Sequence, residues 1–269
     1  MSGLGSRISG SLIATVGAVV ILVFGASAAR PAVTAADLQA AAVVPPEGAR
    51  VAAGSRWTDQ NGQSTTLAAA MDGHPALLIF ADYTCQSLCG SVLSLVTGTL
   101  AKSGLDLHDY RVVALGLDAK NSATAAAAMK REQVTDDAVA YVTTMLVADD
   151  TTIRAVAESV GYRFVYDAER DQFVHPAAVL VLAKDGRLTR VLSALDIGPD
   201  QIKSALIEAD QGNVSSIRRA ISVLCYGFDP SIGRYTGTIH RALIMAATLM
   251  VLAVAGGIAW MTLRPSRPR

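Results

Sequence analysis

Two cysteines four residues apart are the side chains best suited to chemistry. Cys85 and Cys89 stand in "DYTCQSLCG", residues 82–90, where three residues separate them instead of the two of a thioredoxin redox site. A pair at this spacing can form a disulfide, hold a metal ion, or simply pack as two thiols. The elements that carry the pair decide among these interpretations.

A strand and a helix flank the cysteine pair. "PALLIFAD", residues 75–82, is a short continuous apolar run, typical of a strand buried on both faces. From Cys85 to about Ser103 the apolar residues recur at helical spacing, so we predict that Cys85 opens a helix and shares one face with Cys89. A helix N-terminus favours thiolates, and two convergent thiolates are soft ligands for copper(I) or zinc.

Strands and helices alternate along the rest of the domain. The predicted elements are a hairpin turning at Asn61–Gly62, strands at 111–118 and 138–148, helices at 121–133, 149–161 and 198–212, and a hairpin over 176–194 that turns at Asp185–Gly186. This order predicts an α/β fold with a largely parallel sheet covered by helices. It resembles the thioredoxin fold with an insertion.

A histidine becomes a third candidate ligand through that resemblance. In thioredoxin-like folds a cis proline precedes the closing hairpin and lies against the active-site cysteines, and Pro176 occupies this place here. The resemblance implies that His175 reaches both sulfurs and completes a Cys2His metal site. The positions of His74, His108 and His240 give less reason to expect that they bind the metal ion.

Two aspartates follow neighbouring predicted strands at their carboxyl ends. Open α/β sheets bind ligands on that side, so Asp82 and Asp118 could orient the metal ligands from behind through hydrogen bonds. For Asp118, capping of the helix that follows is the alternative. The third cysteine, Cys225, is interpreted as a buried thiol, a neighbour of the metal site, or a partner in an intermolecular disulfide.

Both ends of the chain carry apolar segments. Arg7 precedes the 19-residue run at 11–29, which ends in small residues in the A-x-A pattern, so residues 1–29 are predicted to be a signal peptide or an uncleaved anchor. Residues 242–263 contain no charge over 22 positions and are predicted to span a membrane. The three arginines after them predict that the tail, residues 264–269, is cytoplasmic.

The sequence therefore divides into a tethered extracytoplasmic domain and its attachments. We predict a linker at 30–50, a thioredoxin-like domain at 51–212 and a juxtamembrane extension at 213–241. The 23 basic and 23 acidic side chains balance, which gives no reason to expect a nucleic-acid partner. The exterior compartment is oxidising, so a disulfide is favoured there unless a metal or a reductant holds the thiols.

Several motifs together resemble the Sco/SenC family of copper-binding proteins that help to assemble cytochrome c oxidase. These are Tyr83-Thr84-Cys85-x-x-x-Cys89 after an apolar strand, Asp118 after the next strand, and His175 before the hairpin. "HPA" at 175–177, "KDGRLTR" at 184–190 and "LCYGFDPSIGRYTG" at 224–237 resemble a membrane-tethered branch of the family. The resemblance covers about residues 50–212, and the chain departs from it at Gly90, where the family usually has proline.

This resemblance implies copper, Cu+ or Cu2+, bound by Cys85, Cys89 and His175. It implies a metallochaperone that serves subunit II of the oxidase, works beside other copper chaperones and is held at the extracytoplasmic, periplasmic side of the cell membrane. The alternative is a tethered thiol-disulfide oxidoreductase in which Cys85 and Cys89 are catalytic. A sensor is disfavoured because the six-residue tail could host no output domain.

Overall fold

The structure, a computed structural model, describes residues 40–85, 89–168, 171–213 and 244–256, and for Cys89 the backbone alone. The chain divides into two units, 1–32 and 33–269, and every described residue belongs to the second. The predicted signal or anchor, most of the predicted extension and the tail lie outside the described residues. Cys225 and His240 lie outside them as well.

A seven-stranded sheet forms the centre of the domain. Its order is β2-β1-β5-β4-β3-β8-β9, and β6 and β7 form a separate hairpin. The strands are β1 (Arg56–Asp59), β2 (Ser64–Thr66), β3 (Ala76–Ala81), β4 (Arg111–Gly116), β5 (Thr143–Val147), β6 (Val165–Asp167), β7 (Gln172–Val174), β8 (Ala178–Leu182) and β9 (Leu188–Ser193).

The predicted α/β class is confirmed, but the sheet is mixed, not largely parallel. Within the described strands, β3–β4 and β4–β5 are the parallel pairs, and the other four pairs of this sheet are antiparallel. Alternation of strands and helices predicted the three central strands. The hairpins β1–β2 and β8–β9 turn where Asn61–Gly62 and Asp185–Gly186 predicted, and they add antiparallel strands at both edges.

Helices cover both faces of the sheet. They are α1 (Leu67–Met71), α2 (Cys89–Ala101), α3 (Ala123–Gln133), α4 (Asp137–Tyr141), α5 (Asp150–Ser159) and α6 (Pro199–Asp210), and residues 244–256 are helical too. Strand β3 is buried along its whole length because it contributes to two cores. Leu77 and Ile79 pack in the hydrophobic cluster formed with helices α2, α3 and α6, which we call core 1. Leu78 and Phe80 pack in the cluster formed with helices α1 and α5, which we call core 2.

No helix within the described ranges is both long enough and apolar enough to cross a membrane. The helical residues 244–256 fall inside the predicted span at 242–263, and the rest of that span lies outside the described residues.

The end of the predicted linker is packed against the domain. Val43 forms an antiparallel bridge with Tyr162, and the Val44 N–H donates to the Gly161 carbonyl at 2.8 Å. Further along, Arg50 is bridged to Arg187 beside the β8–β9 turn. We call residues 41–51 the N-terminal strap. It fixes the backbone around residue 162.

Gly161 is the tightest point of this packing. Its φ of +66° lies in the left-handed region, and a Cβ there would stand 2.0 Å from the Val44 carbonyl oxygen. The Val44 backbone is held by its hydrogen bond to Gly161, so its carbonyl oxygen cannot move aside as the end of a side chain can. Residue 161 therefore has to be glycine for two separate reasons, conformation and space.

We predict that Gly161→Ala destabilises the protein much more than Gly104→Ala. Both positions have a φ near +67°, which costs alanine about 1–2 kcal/mol, but Gly104 has open space where its Cβ would lie. The clash with the strap adds about 1–3 kcal/mol at position 161. Urea denaturation of the two variants measures the difference, and equal losses of unfolding free energy would contradict the packing of the strap.

Candidate metal centre

The β3–β8 pairing brings the cysteine loop and His175 to one edge of the sheet. Ile79 pairs with Val179 in the antiparallel register, and continuing that register sets Asp82 opposite Pro176. The parallel pairing of β3 with β4 places Gly116 beside Ala81, so β4 ends at the same edge. This is the carboxyl edge of the central strands, where ligands bind in open α/β sheets.

Cys85 lies in a turn before α2 and is not helical. Its N–H donates to the Asp82 carbonyl at 3.3 Å, and α2 begins at Cys89. The sharing of one helix face by the two cysteines stays a prediction. Residues 86–88 and the Cys89 side chain lie outside the described part of the structure. Disulfide, metal site and packed thiols all remain predictions for the pair.

Cys85 is half-buried against core 1 and lines a cavity of about 440 Å³. Thr84 and Gly90 line the near side of this cavity, and Met129 and Glu132 of α3 line the far side. The first cysteine therefore borders a space large enough for a side chain of another molecule.

Asp82 is buried and holds the turn that carries Cys85. Its Oδ1 accepts from the Thr84 N–H at 3.0 Å, from Thr84 Oγ1 at 2.9 Å and from Asn121 Nδ2 at 3.2 Å. The Asn121 Oδ1 in turn accepts from the Tyr83 N–H at 3.0 Å. Hydrogen bonds to a buried carboxylate are among the stronger ones, so this network fixes the loop backbone.

Asp118 closes a tight turn after β4. Its Oδ1 accepts from the Lys120 N–H at 2.8 Å, and its carbonyl accepts from the Asn121 N–H at 2.9 Å. Ser122 caps helix α3 by accepting from the Ala125 N–H, so helix capping by Asp118 is wrong. Asp118 therefore supports the turn from which Asn121 reaches Asp82.

The same turn contacts the hairpin that precedes His175. Lys120 Nζ lies 2.6 Å from Asp171 Oδ1 and 3.4 Å from Tyr166 Oη, and Tyr166 donates to Asp171. The Lys120 ammonium holds the pKa of the Asp171 carboxyl below its usual range. These groups are mostly exposed, so their energy is small. They nevertheless link residues 118–121 to both halves of the candidate site.

His175 is 1% exposed and lies within a tight group of polar atoms. Its Nδ1 is 2.9 Å from Tyr162 Oη and 3.2 Å from the Pro176 carbonyl oxygen, and Tyr162 Oη is 2.7 Å from that same oxygen. Burial lowers the His175 pKa to about 4, although the Pro176 carbonyl and the Asp82 charge act in the opposite direction. The imidazole is therefore neutral at pH 7, which is the form that binds metals.

Pro176 differs from the prediction in one respect. No peptide bond within the described ranges is cis, so the expected cis bond before Pro176 is wrong. The placement of His175 between β7 and β8 does not require it. The pairing of β3 with β8 delivers the histidine to the sheet edge.

Tyr162 and Asn121 contact residues of the candidate site, and sequence reasoning missed both. The sequence analysis places Asn121 at the start of a helix, and a polar residue in the loop that follows a buried strand is the signal that could have revealed it. Tyr162 has no such signal, because its partner stands 13 residues later across a hairpin that the sequence did not predict. The other described histidines lie elsewhere: His108 is exposed, and His74 lies beside Asp72, where β3 begins.

Every buried polar side-chain atom within the described ranges has a hydrogen-bond partner. Those ranges, which omit the Cys89 side chain, contain no group of three His, Cys, Asp or Glu side chains placed to hold a metal ion. Of the three predicted ligands, the structure describes the side chains of Cys85 and of a neutral His175. A complete site with these two would need the Cys89 sulfur.

We predict that the metal-free protein loses about 3 kcal/mol of unfolding free energy between pH 6.5 and pH 4. An unfolded histidine takes up a proton near its ordinary pKa of 6.5, whereas buried His175 stays neutral to about pH 4. Its contribution is thus fully present above pH 6.5 and is lost as the pH falls. Urea denaturation across this range measures it.

His175→Gln should remove this part of the pH dependence, and His108→Gln, at an exposed position, should keep it. An unchanged slope in His175→Gln would mean that the buried imidazole is not its source.

Comparison with known proteins shows the fold. No protein-family model matches the chain, and no curated protein sequence matches it. A solved protein from Aquifex aeolicus VF5, which is named for electron transfer, matches with a TM-score of 0.54 and 18% identity, over 63% of this chain and 96% of its own. ScoI of Arabidopsis thaliana with copper bound matches with a TM-score of 0.50 and 14% identity, over 61% and 98%.

A second Aquifex aeolicus protein, named for electron transport, has a TM-score of 0.51 and 18% identity over 61% of this chain and 98% of its own. This chain thus spans nearly the whole length of each of these neighbours. The chain has an α/β fold with a mixed sheet, consistent with the thioredoxin-like fold of Sco proteins.

Proposed function

We propose that the chain is a copper metallochaperone of the Sco/SenC family that delivers copper to the dinuclear copper centre of cytochrome c oxidase subunit II. The observation that carries the proposal is the position of His175. It is neutral and buried, and it lies at the edge of the sheet where β3 ends and the loop that carries Cys85 begins. The motifs around Cys85 and His175 resemble those of the family. ScoI of Arabidopsis, which shares the fold, is a structure with copper bound.

The donor set suits copper. Cys85 and Cys89 would supply thiolates, and His175 would supply an imidazole nitrogen that needs no deprotonation at neutral pH. Thiolate with imidazole is a combination that binds copper well, whether as Cu+ or as Cu2+. Asp82 and Asp118 bind no metal in this proposal. They hold the loop through Asn121, so that Cys85 keeps its place when the cargo leaves.

Delivery would proceed by ligand exchange. A thiolate of the recipient replaces one thiolate of this chain at a time, so copper is never released to water. The cavity beside Cys85 gives an incoming side chain room to approach the first cysteine. Other copper chaperones would load the site by the same exchange in reverse.

The ends of the chain would keep the domain beside its membrane-bound recipient. We propose that residues 1–29 direct export, that 242–263 span the cell membrane and that 264–269 remain cytoplasmic. The domain at 51–212 would then face the periplasm or its equivalent. Tethering raises the effective concentration of donor and recipient to about the millimolar range for short linkers.

We predict that deletion of residues 242–269 moves the protein from the membrane fraction to the soluble extracytoplasmic fraction. The deleted segment contains the uncharged 22-residue stretch, whose apolar surface would hold the chain in lipid. Fractionation with alkaline extraction of both proteins measures this. Membrane retention of the shortened chain would assign the anchor to residues 1–29.

We predict one Cu+ per chain, with a loss of affinity of at least 100-fold in Cys85→Ser, Cys89→Ser and His175→Ala. Each variant removes one of three donors. Competition with a chromophoric Cu+ chelator gives affinity and stoichiometry, and His108→Ala is the matched control for loss of an imidazole. X-ray absorption should show two sulfurs and one nitrogen. Wild-type affinity in His175→Ala would overturn the ligand assignment.

A thiol-disulfide oxidoreductase is the second candidate, and the cavity beside Cys85 favours it. The Cys85 thiolate would attack a disulfide of the oxidase copper site, and Cys89 would resolve the mixed disulfide, so that this pair is oxidised and the target reduced. Turnover on a disulfide peptide by the metal-free protein, abolished in Cys85→Ser, combined with weak copper binding, would favour this function.

A further inference from the structure

Three atoms around His175 form a closed triangle. His175 Nδ1, Tyr162 Oη and the Pro176 carbonyl oxygen are separated by 2.9, 2.7 and 3.2 Å. Two of these groups can donate a proton, but a carbonyl oxygen can only accept. The triangle therefore restricts where the protons lie.

One arrangement satisfies all three contacts. If the Tyr162 hydroxyl donates to the Pro176 carbonyl, its oxygen keeps lone pairs that face Nδ1, and Nδ1 must then carry a proton to donate. The alternative places the phenol proton on the Nδ1 side. It leaves the Pro176 oxygen facing an oxygen at 2.7 Å and a bare nitrogen at 3.2 Å with no proton between them. Such facing lone pairs in a buried site are unfavourable.

The Tyr162 ring cannot swing away from this position. Its side chain is 2% exposed and stacks on Phe80 with ring centroids 4.3 Å apart. Its backbone is bridged to Val43 of the N-terminal strap, and Gly161 before it leaves no space for a shift. Rigid elements on three sides thus hold the hydroxyl against His175.

We propose that Tyr162 is a positioning residue that fixes His175 in the Nδ1–H tautomer and thereby presents Nε2 as the nitrogen that binds copper. This inference rests on the proposed function, in which His175 is a copper ligand. The carboxyl of Asp82, which is near enough to act on the His175 charge, is engaged by Thr84 and Asn121. Tyr162 does not touch the metal, since its hydroxyl is on the Nδ1 side of the ring.

The proton distribution can be measured without copper. The chain has four histidines, so selective ¹⁵N-histidine labelling of the metal-free full chain in detergent gives few signals, and His175→Gln assigns the signal of interest. We expect a pyrrole-type Nδ1 and a pyridine-type Nε2 for His175. The reverse assignment would overturn the inference, whatever copper does.

The second arm tests the role of the hydroxyl. Tyr162→Phe should shift the His175 population towards the other tautomer and lower Cu+ affinity about 10-fold or more, as loss of a hydrogen bond behind a metal-bound histidine commonly does. Tyr110→Phe is the matched control, because Tyr110 is also buried but precedes β4, at the opposite end of the sheet. It should change neither quantity.

The outcomes separate the two proposals. Unchanged tautomer and affinity in Tyr162→Phe would overturn the role of the hydroxyl while leaving His175 as a ligand. Wild-type copper affinity in His175→Ala would overturn the ligand assignment, and the tautomer measurement would still report the triangle. If Tyr162→Phe does not fold, the ¹⁵N signals of the unmodified chain decide the inference alone.

Discussion

The burial of an uncharged imidazole at the carboxyl edge of the sheet is the constraint that organises this domain. Water does not reach His175, so each polar atom near it needs a partner from the protein. Tyr162 and the Pro176 carbonyl meet that requirement, and the ring is left with one defined orientation. An imidazole fixed in this way would bind a metal ion at a lower entropic cost than a mobile one.

The short turn at 118–121 extends that order to the cysteine side. Asn121 bonds the carboxylate of Asp82 and the backbone of Tyr83, while Lys120 contacts the hairpin that leads to His175. The buried contacts of Asn121 carry most of the energy, because the ion pair of Lys120 is mostly exposed. The turn that follows β4 therefore contacts both the loop that carries Cys85 and the hairpin that leads to His175.

Sequence patterns predicted what local periodicity and turn chemistry determine. The apolar run of β3, the hairpin at Asp185–Gly186 and the helix capped by Asp149 are found where they were expected. Contacts between distant residues were not predictable: the bridge from Val43 to Tyr162 joins segments with no shared pattern. Cys85 itself lies in a turn and not in the helix, because helical spacing of apolar residues does not reveal how many residues the chain needs to turn after a strand. The parallel centre and the two edge hairpins were predicted, whereas the antiparallel pairing of those hairpins with β5 and β3 was not.

The two halves of the candidate centre belong to different cores. Tyr83 and Cys85 pack with core 1, whereas Phe80 and Tyr162, which hold the histidine, belong to core 2 on the other face of the sheet. A chain that has packed one layer of helices has assembled one half of the donor set. If the centre binds a metal as proposed, tight capture would therefore be restricted to the fully folded protein, in which both cores are packed.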